Sequence, residues 1–404
     1  MPVLTCRQKC LKTDIKGSMS AISSITQPVI VQIVPRLEQG GVERGTIEMA
    51  EAIQAHGWKA VVISNGGKLT SQLKRVGAIS YEIPVHSKNP LKWPSIRHKV
   101  RRILQQESAD IVHVRSRVPA WTGLSEAKYL GIASVATIHS KFVPSNVIKH
   151  IYNRKILQAD RVIAISDYVR DNLLAHYKNH ISEDKITVIH RGVDLSLFDP
   201  AAVNQRRIIA EAERVGAPDD GKVVMLAARP TAWKGYEVLI DAVASLDDKT
   251  VSLVLVGAGS GEIKFIEKLR ARAVRTGLGG RLRIAEASID MPAALMLADV
   301  VAMPSIHPEP FGRIALEAQA MGRPVVAFAH GGAIESILPD KTGWLASPCK
   351  TDELAQALNN ALVLSAASRQ KLAKQARDQV SRYFSKQQMC DKTMSIYQSL
   401  LDAD

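Results

Sequence analysis

The stretch VIVQIVPRLEQGGVERG, residues 29–45, decides the architecture. Five of its first six residues are β-branched and apolar, the composition of a strand buried on both faces of a parallel sheet. A short loop ending in Gly40-Gly41 follows, and from Val42 to His56 the apolar residues recur at helical spacing. Strand, glycine turn and helix open a βαβ unit. The unit repeats downstream. Strand candidates are Val29–Val34, Ala60–Ile63, Ile79–Ile83, Ile111–Val114, Ser134–Ile138, Val162–Ile165 and Ile186–Ile189, with helical patterns such as Val42–His56, Pro94–Gln106 and Ser166–Tyr177 between them. The alternation predicts a doubly wound α/β domain.

The rhythm breaks at Arg191–Pro218, which holds Gly192, Pro200, Gly216 and Pro218, and then resumes. The second series of strands is Val223–Ala227, Val251–Val256, Leu282–Ile284, Asp299–Met303 and Pro324–Ala327. Thr351–Leu401 is helical without a strand, and its end is expected to cross back to the first domain. The expected division is an extension over 1–27, a first Rossmann-like domain over 28–200, a second over 201–385 and a returning helix over 386–404. The extension carries Arg7, Lys9, Lys12 and Lys16 but no continuous apolar run, so a disordered segment is expected rather than a secretory signal, with Met19 an alternative start.

Composition narrows the function classes. The chain has 404 residues, 46% hydrophobic and 23% charged, which suggests two or three domains. No apolar run approaches the ~20 residues that span a bilayer. Four cysteines (Cys6, Cys10, Cys349 and Cys390) are too few and too scattered for a disulfide scaffold, and a reducing cytoplasm is expected. The net charge of +14 points to an anionic partner: nucleic acid, a membrane surface or a phosphorylated small molecule. Between Ser71 and Arg117, ten Lys or Arg face three acids. Aromatics are 5% of the chain and are not interleaved with the basic residues, which argues against nucleic acid.

Ligands of open α/β sheets bind outside the carboxyl ends of the strands, so the loops after strands carry the chemistry. Gly40-Gly41 lets an anion approach the backbone at a helix start, although it departs from the dinucleotide pattern G-x-G-x-x-G and could be a plain turn. Arg229 and Lys234 follow the first strand of the second domain and can converge on one diphosphate; alone, such cations are usually solvated surface residues. Gly257 and Gly259 form a glycine loop that is able to admit a base or phosphate and could equally be a plain glycine turn. The sharpest loop is Pro304–Glu317, in which Glu309, Phe311 and Gly312 precede a helix that carries Glu317. A loop carboxylate, a helix N-terminus and a second carboxylate suit a sugar nucleotide: the carboxylates accept from hydroxyls and the helix end holds phosphate.

Together these residues resemble the retaining glycosyltransferases of family 4, which have the GT-B fold of two Rossmann-like domains facing a cleft. The resemblance rests on Gly40-Gly41-x-Glu43-Arg44, Arg229…Lys234-Gly235, Gly257-x-Gly259, Glu309-x-Phe311-Gly312…Glu317 and Gly322-x-Pro324-Val325-Val326. Arg191-Gly192-Val193-Asp194…Phe198-x-Pro200 is similar to the family's interdomain segment, and His113–Trp121 resembles bacterial envelope members. The resemblance implies that Arg229 and Lys234 neutralise the donor diphosphate. It places Glu317 on the ribose hydroxyls, Glu309 on the donor sugar, Gly41 beside phosphate and sugar, and His139 at the sugar's reacting face. Ser140 stands where the family more often has an aspartate. His113 and His190 are expected to be structural.

The implied activity is transfer of a hexose from a nucleotide sugar to a lipid-linked or lipopolysaccharide-type acceptor with retention. It would proceed without a metal or other cofactor, since the only Asp-x-Asp triplet is Asp402-Ala403-Asp404 at the terminus. The basic excess between Ser71 and Arg117 adds the expectation of a peripheral enzyme on the inner face of the cytoplasmic membrane, held to an anionic surface by charge, and a monomer or weak dimer is expected. The alternatives are another GT-B enzyme, such as a nucleotide-sugar epimerase or phosphorylase, and a basic nucleic-acid-binding protein.

Overall fold

The computed structural model describes residues 27–38 and 40–403; apart from Gln27, the extension expected to be disordered lies outside the described residues. Seven strands form one sheet: β1 (Val29–Ile33), β2 (Lys59–Ser64), β3 (Ile79–Glu82), β4 (Ile111–Val114), β5 (Ala133–Ile138), β6 (Arg161–Ala164) and β7 (Ile186–Val188). Six form a second: β8 (Val223–Ala227), β9 (Ser252–Ala258), β10 (Leu282–Glu286), β11 (Val300–Met303), β12 (Val325–Phe328) and β13 (Gly343–Ala346). Every pairing is parallel.

The strand orders are β3-β2-β1-β4-β5-β6-β7 and β10-β9-β8-β11-β12-β13. The winding direction therefore reverses between β1 and β4, and again between β8 and β11. The loops leaving those four strands border the two switch-point crevices, where ligands of such sheets bind.

Burial follows position in the sheet. The central strands β1 and β4 are buried along their whole length, whereas the edge strands β3 and β7 are partly exposed. The Trp93–Gln106 helix, close to the expected Pro94–Gln106, covers the first sheet with Ile96, Val100, Ile103 and Leu104, which recur at helical spacing. Two of its cations are committed internally. Arg97 and Arg101 both bind the carboxylate of Glu126, which is 0% exposed, at 2.5 and 2.6 Å. The basic excess of this region is thus smaller at the surface than the sequence suggests. Two further differences concern the second sheet: β9 extends through Gly257, and β13 was not anticipated.

The two domains are joined by paired crossings. Val193 donates its N–H to Phe384 O, and Lys386 donates back to Val193 O, both at 2.8 Å. The Lys386–Leu401 helix then lies on the first domain. Its Tyr397 hydroxyl meets His113 Nδ1 at 2.5 Å, and His113 Nε2 meets the Thr137 hydroxyl at 2.7 Å. His113 is therefore the buried pin between this helix and the sheet.

A second seam lies at the head of the Asp167–Tyr177 helix. Glu335, from the second domain, accepts hydrogen bonds from the N–H groups of Asp167 and Tyr168, each at 2.8 Å, and lies 2.9 Å from His190 Nε2. The Ser166 hydroxyl donates to Pro310 O. One apolar cluster continues through this region, with Ile165, Val193, Phe311 and Phe384 among its members. His190 is structural, as expected, but its role is interdomain.

Burial raises the pKa of the Glu335 carboxyl, but the bonds from His190 and the two amides outweigh burial and hold it below the usual carboxylate range. A depressed carboxylate stabilises the fold above its unfolded pKa and loses that contribution as pH falls through its folded pKa. Glu335→Gln should therefore cost about 1–3 kcal/mol at pH 7. The gap in thermal midpoint from wild type should close as the pH is lowered below about 4. A gap independent of pH would contradict the seam's charge dependence.

Candidate active site between the two sheets

Two helices meet head to head across the cleft. The Gly41–Ala55 helix leaves the loop after β1, and the Arg313–Ala320 helix leaves the loop after β11. Gly40 and Gly312 stand at their N-cap positions, and among the described residues neither helix has a side-chain cap. Free N–H groups and the positive ends of two dipoles therefore face one space, which favours an anion.

Side chains interlock at the same place. Arg313 reaches Glu48 of the first domain at 3.5 Å and Glu317 on its own helix at 3.5 Å, while Arg44 approaches Glu317 at 3.9 Å. Arg191, on the crossing between domains, is 4% exposed and donates to Gly41 O. Its guanidinium fits only because residue 45 is glycine; a Cβ there would lie 2.5 Å from the nearest guanidinium nitrogen. Burial and the neighbouring Arg313 pull the Arg191 pKa down to about 9, so it remains charged at neutral pH. Burial raises Glu317 above the usual carboxylate range, and Arg313 and Arg44 offset this only in part.

The loops after β8 and β11 form the second half of the site. Gly235, at φ +78°, brings the β8 loop so close to Pro304 O that any Cβ would collide at 1.8 Å. Ile306 N donates to Trp233 O at 2.8 Å. This contact sets Lys234 Nζ 2.7 Å from Glu309 Oε1, with both side chains largely buried. The Ser305 hydroxyl also donates to Glu309. Lys234 and Glu309, which the resemblance assigns to different parts of one donor, thus satisfy each other here. Arg229 stands exposed at the start of the same loop.

His139 follows β5, and its Nε2 is sealed from solvent with no hydrogen-bond partner among the described residues. Burial, with the nearby Arg191 and Arg115, drives its pKa well below the ordinary histidine value, so the ring is neutral at pH 7.

The structure therefore brings Gly40, Gly41, Gly312 and Glu317 to one cleft, with Lys234 and Glu309 paired on its second-domain side. Two predicted site residues differ. Phe311 is 3% exposed and packs on His190 and Phe384, with ring centroids 5.6 and 6.0 Å away, so its side chain belongs to the interdomain core. Gly257 lies within β9 against Ala228 O rather than in an open loop, and Gly259 heads the Ser260–Glu262 turn.

Glu335 carried no sequence signal, and Arg115, Arg191, Ser305 and Arg313 lie inside quoted motifs without having been assigned a role. Asp167, His190 and Glu335 bring three possible metal ligands within 4.8 Å of one another. All three have other partners, since Arg170 lies 2.5 Å from Asp167 and Glu335 accepts the two helix N–H groups.

Residues 39–197 match Glycosyltransferase Family 4, and residues 208–379 match Glycosyl transferases group 1. A glycosyltransferase from Rickettsia africae is 32% identical in sequence; the match covers 94% of this chain and all of that one, with a TM-score of 0.87. A D-inositol 3-phosphate glycosyltransferase from Jonesia denitrificans is 36% identical over 189 residues, which are 44% of this chain and 43% of that relative's length. The alignment thus spans less than half of that relative. An Anabaena protein solved in complex with UDP-glucose shares the fold at a TM-score of 0.80 and 24% identity, over 92% of this chain and 99% of its own.

Removing Lys234 strands a buried carboxylate. Lys234→Ala should destabilise the unliganded protein by about 3–5 kcal/mol. Adding Glu309→Gln should restore much of that stability without restoring affinity for a nucleoside diphosphate. Thermal unfolding with and without UDP separates the two effects. Wild-type UDP binding in the single variant would remove Lys234 from the donor site.

Proposed function

We propose that this chain, which belongs to the glycosyltransferases of family 4 and group 1 with the GT-B fold, moves a hexose from a nucleoside diphosphate sugar to a lipid-linked or lipopolysaccharide-type acceptor, with retention. The reading rests on the convergence of the two uncapped helix ends with Arg313 and Lys234 at one interdomain cleft. That geometry suits a departing diphosphate. The UDP-glucose complex of the Anabaena protein supports a uridine nucleotide as the first donor to try.

In this reading the bond between the anomeric carbon and the diphosphate oxygen breaks, and Lys234 and Arg229 take up the developing charge. The acceptor hydroxyl attacks the same face of the sugar, and its proton passes to the departing phosphate oxygen. Glu309 holds a sugar hydroxyl, and Glu317 accepts from the ribose hydroxyls. A neutral His139 at the sugar's reacting face donates or accepts one hydrogen bond without adding charge. Fixed cations replace a metal, so EDTA should leave transfer intact. Loss of activity in EDTA that Mn²⁺ restores would reject that part of the reading.

The acceptor side is supported by the surface of the first domain. Leu91, Val147, Ile148 and Ile151 are 88%, 74%, 79% and 45% exposed, and Lys92 and Lys149 lie among them in sequence. Apolar residues with interspersed lysines suit an anionic bilayer at about 1 kcal/mol per cation, which favours a peripheral enzyme on the inner membrane face. Sedimentation with phosphatidylglycerol vesicles should deplete the protein at low salt and less at high salt. No binding, or binding indifferent to lipid charge, would reject the membrane setting.

The activity itself is tested by incubating UDP-glucose with an envelope lipid extract and following UDP release together with the anomeric configuration of the product by NMR. An α-linked product from the α-linked donor is expected. An inverted product would overturn retention. Glucose 1-phosphate formed from a glucan and added inorganic phosphate, without UDP-glucose, would favour the phosphorylase alternative, and an epimerised UDP-sugar would favour the epimerase.

A further inference from the structure

Two charged pairs on facing helices are interleaved across the cleft. Arg44 and Glu48 stand one helical turn apart on the Gly41–Ala55 helix of the first domain, and Arg313 and Glu317 stand likewise on the Arg313–Ala320 helix of the second. That spacing lets each pair close on itself along its own helix. Instead both cations reach across the domain boundary: Arg44 lies 3.9 Å from Glu317, and Arg313 lies 3.5 Å from Glu48. Arg313 also lies 3.5 Å from Glu317. The charges therefore alternate in sign in the order Arg44, Glu317, Arg313, Glu48. Arg44 is exposed, and the other three side chains are largely buried.

Arg313 is divided between two carboxylates and bound closely to neither. Both of its ion contacts exceed the about 2.7–3.2 Å of an ordinary N–H···O bond. Arg313 Nε and Nη1 and Glu48 Oε2 have no hydrogen-bond partner among the described residues. A guanidinium shared in this way closes on the carboxylate that remains when the other is taken away. Glu48 thus holds Arg313 back from Glu317. Glu48 is itself fixed by burial and by Arg115 and Arg191, which also face it.

We infer that Glu48 is a positioning residue for the donor: by drawing Arg313 towards the first domain, it leaves the Glu317 carboxylate oxygens open to the ribose hydroxyls. That role rests on the proposed function, which puts Glu317 at the ribose. It makes a second-domain contact to the donor depend on a first-domain side chain, so that ribose recognition requires the two domains to be together.

Charge gives the role a signature that packing alone would not. Burial raises the pKa of Glu317, Arg313 and Arg44 lower it, and Glu48 raises it. These are the charged groups acting on Glu317, from its own helix and from the helix that faces it. Glu48→Gln removes a neighbouring acid and releases Arg313 to Glu317, so the Glu317 pKa falls. Arg44→Gln removes a cation, so it rises. The ionised carboxylate can accept from both hydroxyls, and the protonated one accepts less well.

The test titrates the full chain calorimetrically with UDP and with 2′,3′-dideoxy-UDP, which lacks the ribose hydroxyls. Wild type should prefer UDP by about tenfold or more, as befits hydrogen bonds to a charged group. Glu48→Gln should lose most of that preference through weaker UDP binding, with the dideoxy nucleotide bound as in wild type. The preference is then followed as the pH is lowered from about 8 to about 4. What remains of it in Glu48→Gln should persist to lower pH than in wild type, and in Arg44→Gln it should be lost at higher pH. Arg44 is exposed, so Arg44→Gln gives its reading even if Glu48→Gln does not fold. Equal losses for both nucleotides in Glu48→Gln, or a pH dependence unmoved in Arg44→Gln, overturn the role. A wild type that binds the two nucleotides equally overturns the placing of Glu317 at the ribose instead, and with it the reading on which the role rests.

Discussion

Buried positive charge is the constraint around which the interdomain region is organised. Arg115, Arg191 and Arg313 enter it from a strand end, a domain crossing and a helix start, and Glu48 is the carboxylate that faces them from the Gly41–Ala55 helix. Such a group is tolerated only if its donors find acceptors. Arg191 uses a main-chain carbonyl at Gly41, which requires glycine at position 45. Arg313 divides itself between Glu48 and Glu317, and so ties the two domains together. Donors without a partner among the described residues, Arg115 Nε and Arg313 Nη1 among them, lie beside the helix ends headed by Gly40 and Gly312. The electrostatics that make the region costly without a ligand are those that would favour an anion there.

The fold supplies this arrangement through topology. Each sheet winds outward in both directions from its centre, so the loops after β1, β4, β8 and β11 border the crevices. Paired crossings at Val193 and Ser385 hold the domains on one side, and the Glu335 carboxylate holds them at the head of the Asp167–Tyr177 helix. Any closure of the cleft onto a donor, which would exclude water from the reacting sugar, has to pivot about these two seams.

Much of this was legible in the residues. Long β-branched runs marked the buried central strands, and β4 and β8 match their expected bounds residue for residue. The missed strand β13 reads Gly-Trp-Leu-Ala, with no β-branched residue and no alternation. It is a strand because β12 offers it an edge, which is a tertiary cause. The site was legible where chemistry is local, as in Gly312 followed by Glu317 on one helix. It was not legible where partners are remote: nothing near His190 announces Glu335, 145 residues away. Nor does Phe311 differ, in sequence, from a residue that contacts a ligand. The pairing of Arg97 and Arg101 with Glu126 was hidden for the same reason, since Glu126 lies on another helix.

The central claim is that the cleft is built for a diphosphate attached to a sugar nucleotide. The most direct measurement is calorimetric titration of the full chain with UDP, UMP and uridine at one salt concentration. If fixed cations and helix ends hold the diphosphate, affinity should fall stepwise as phosphates are removed, by about tenfold for each 1.4 kcal/mol lost. Uridine should bind at least a hundredfold more weakly than UDP. Equal affinities for UDP and uridine would place the binding energy on the nucleoside and contradict the account.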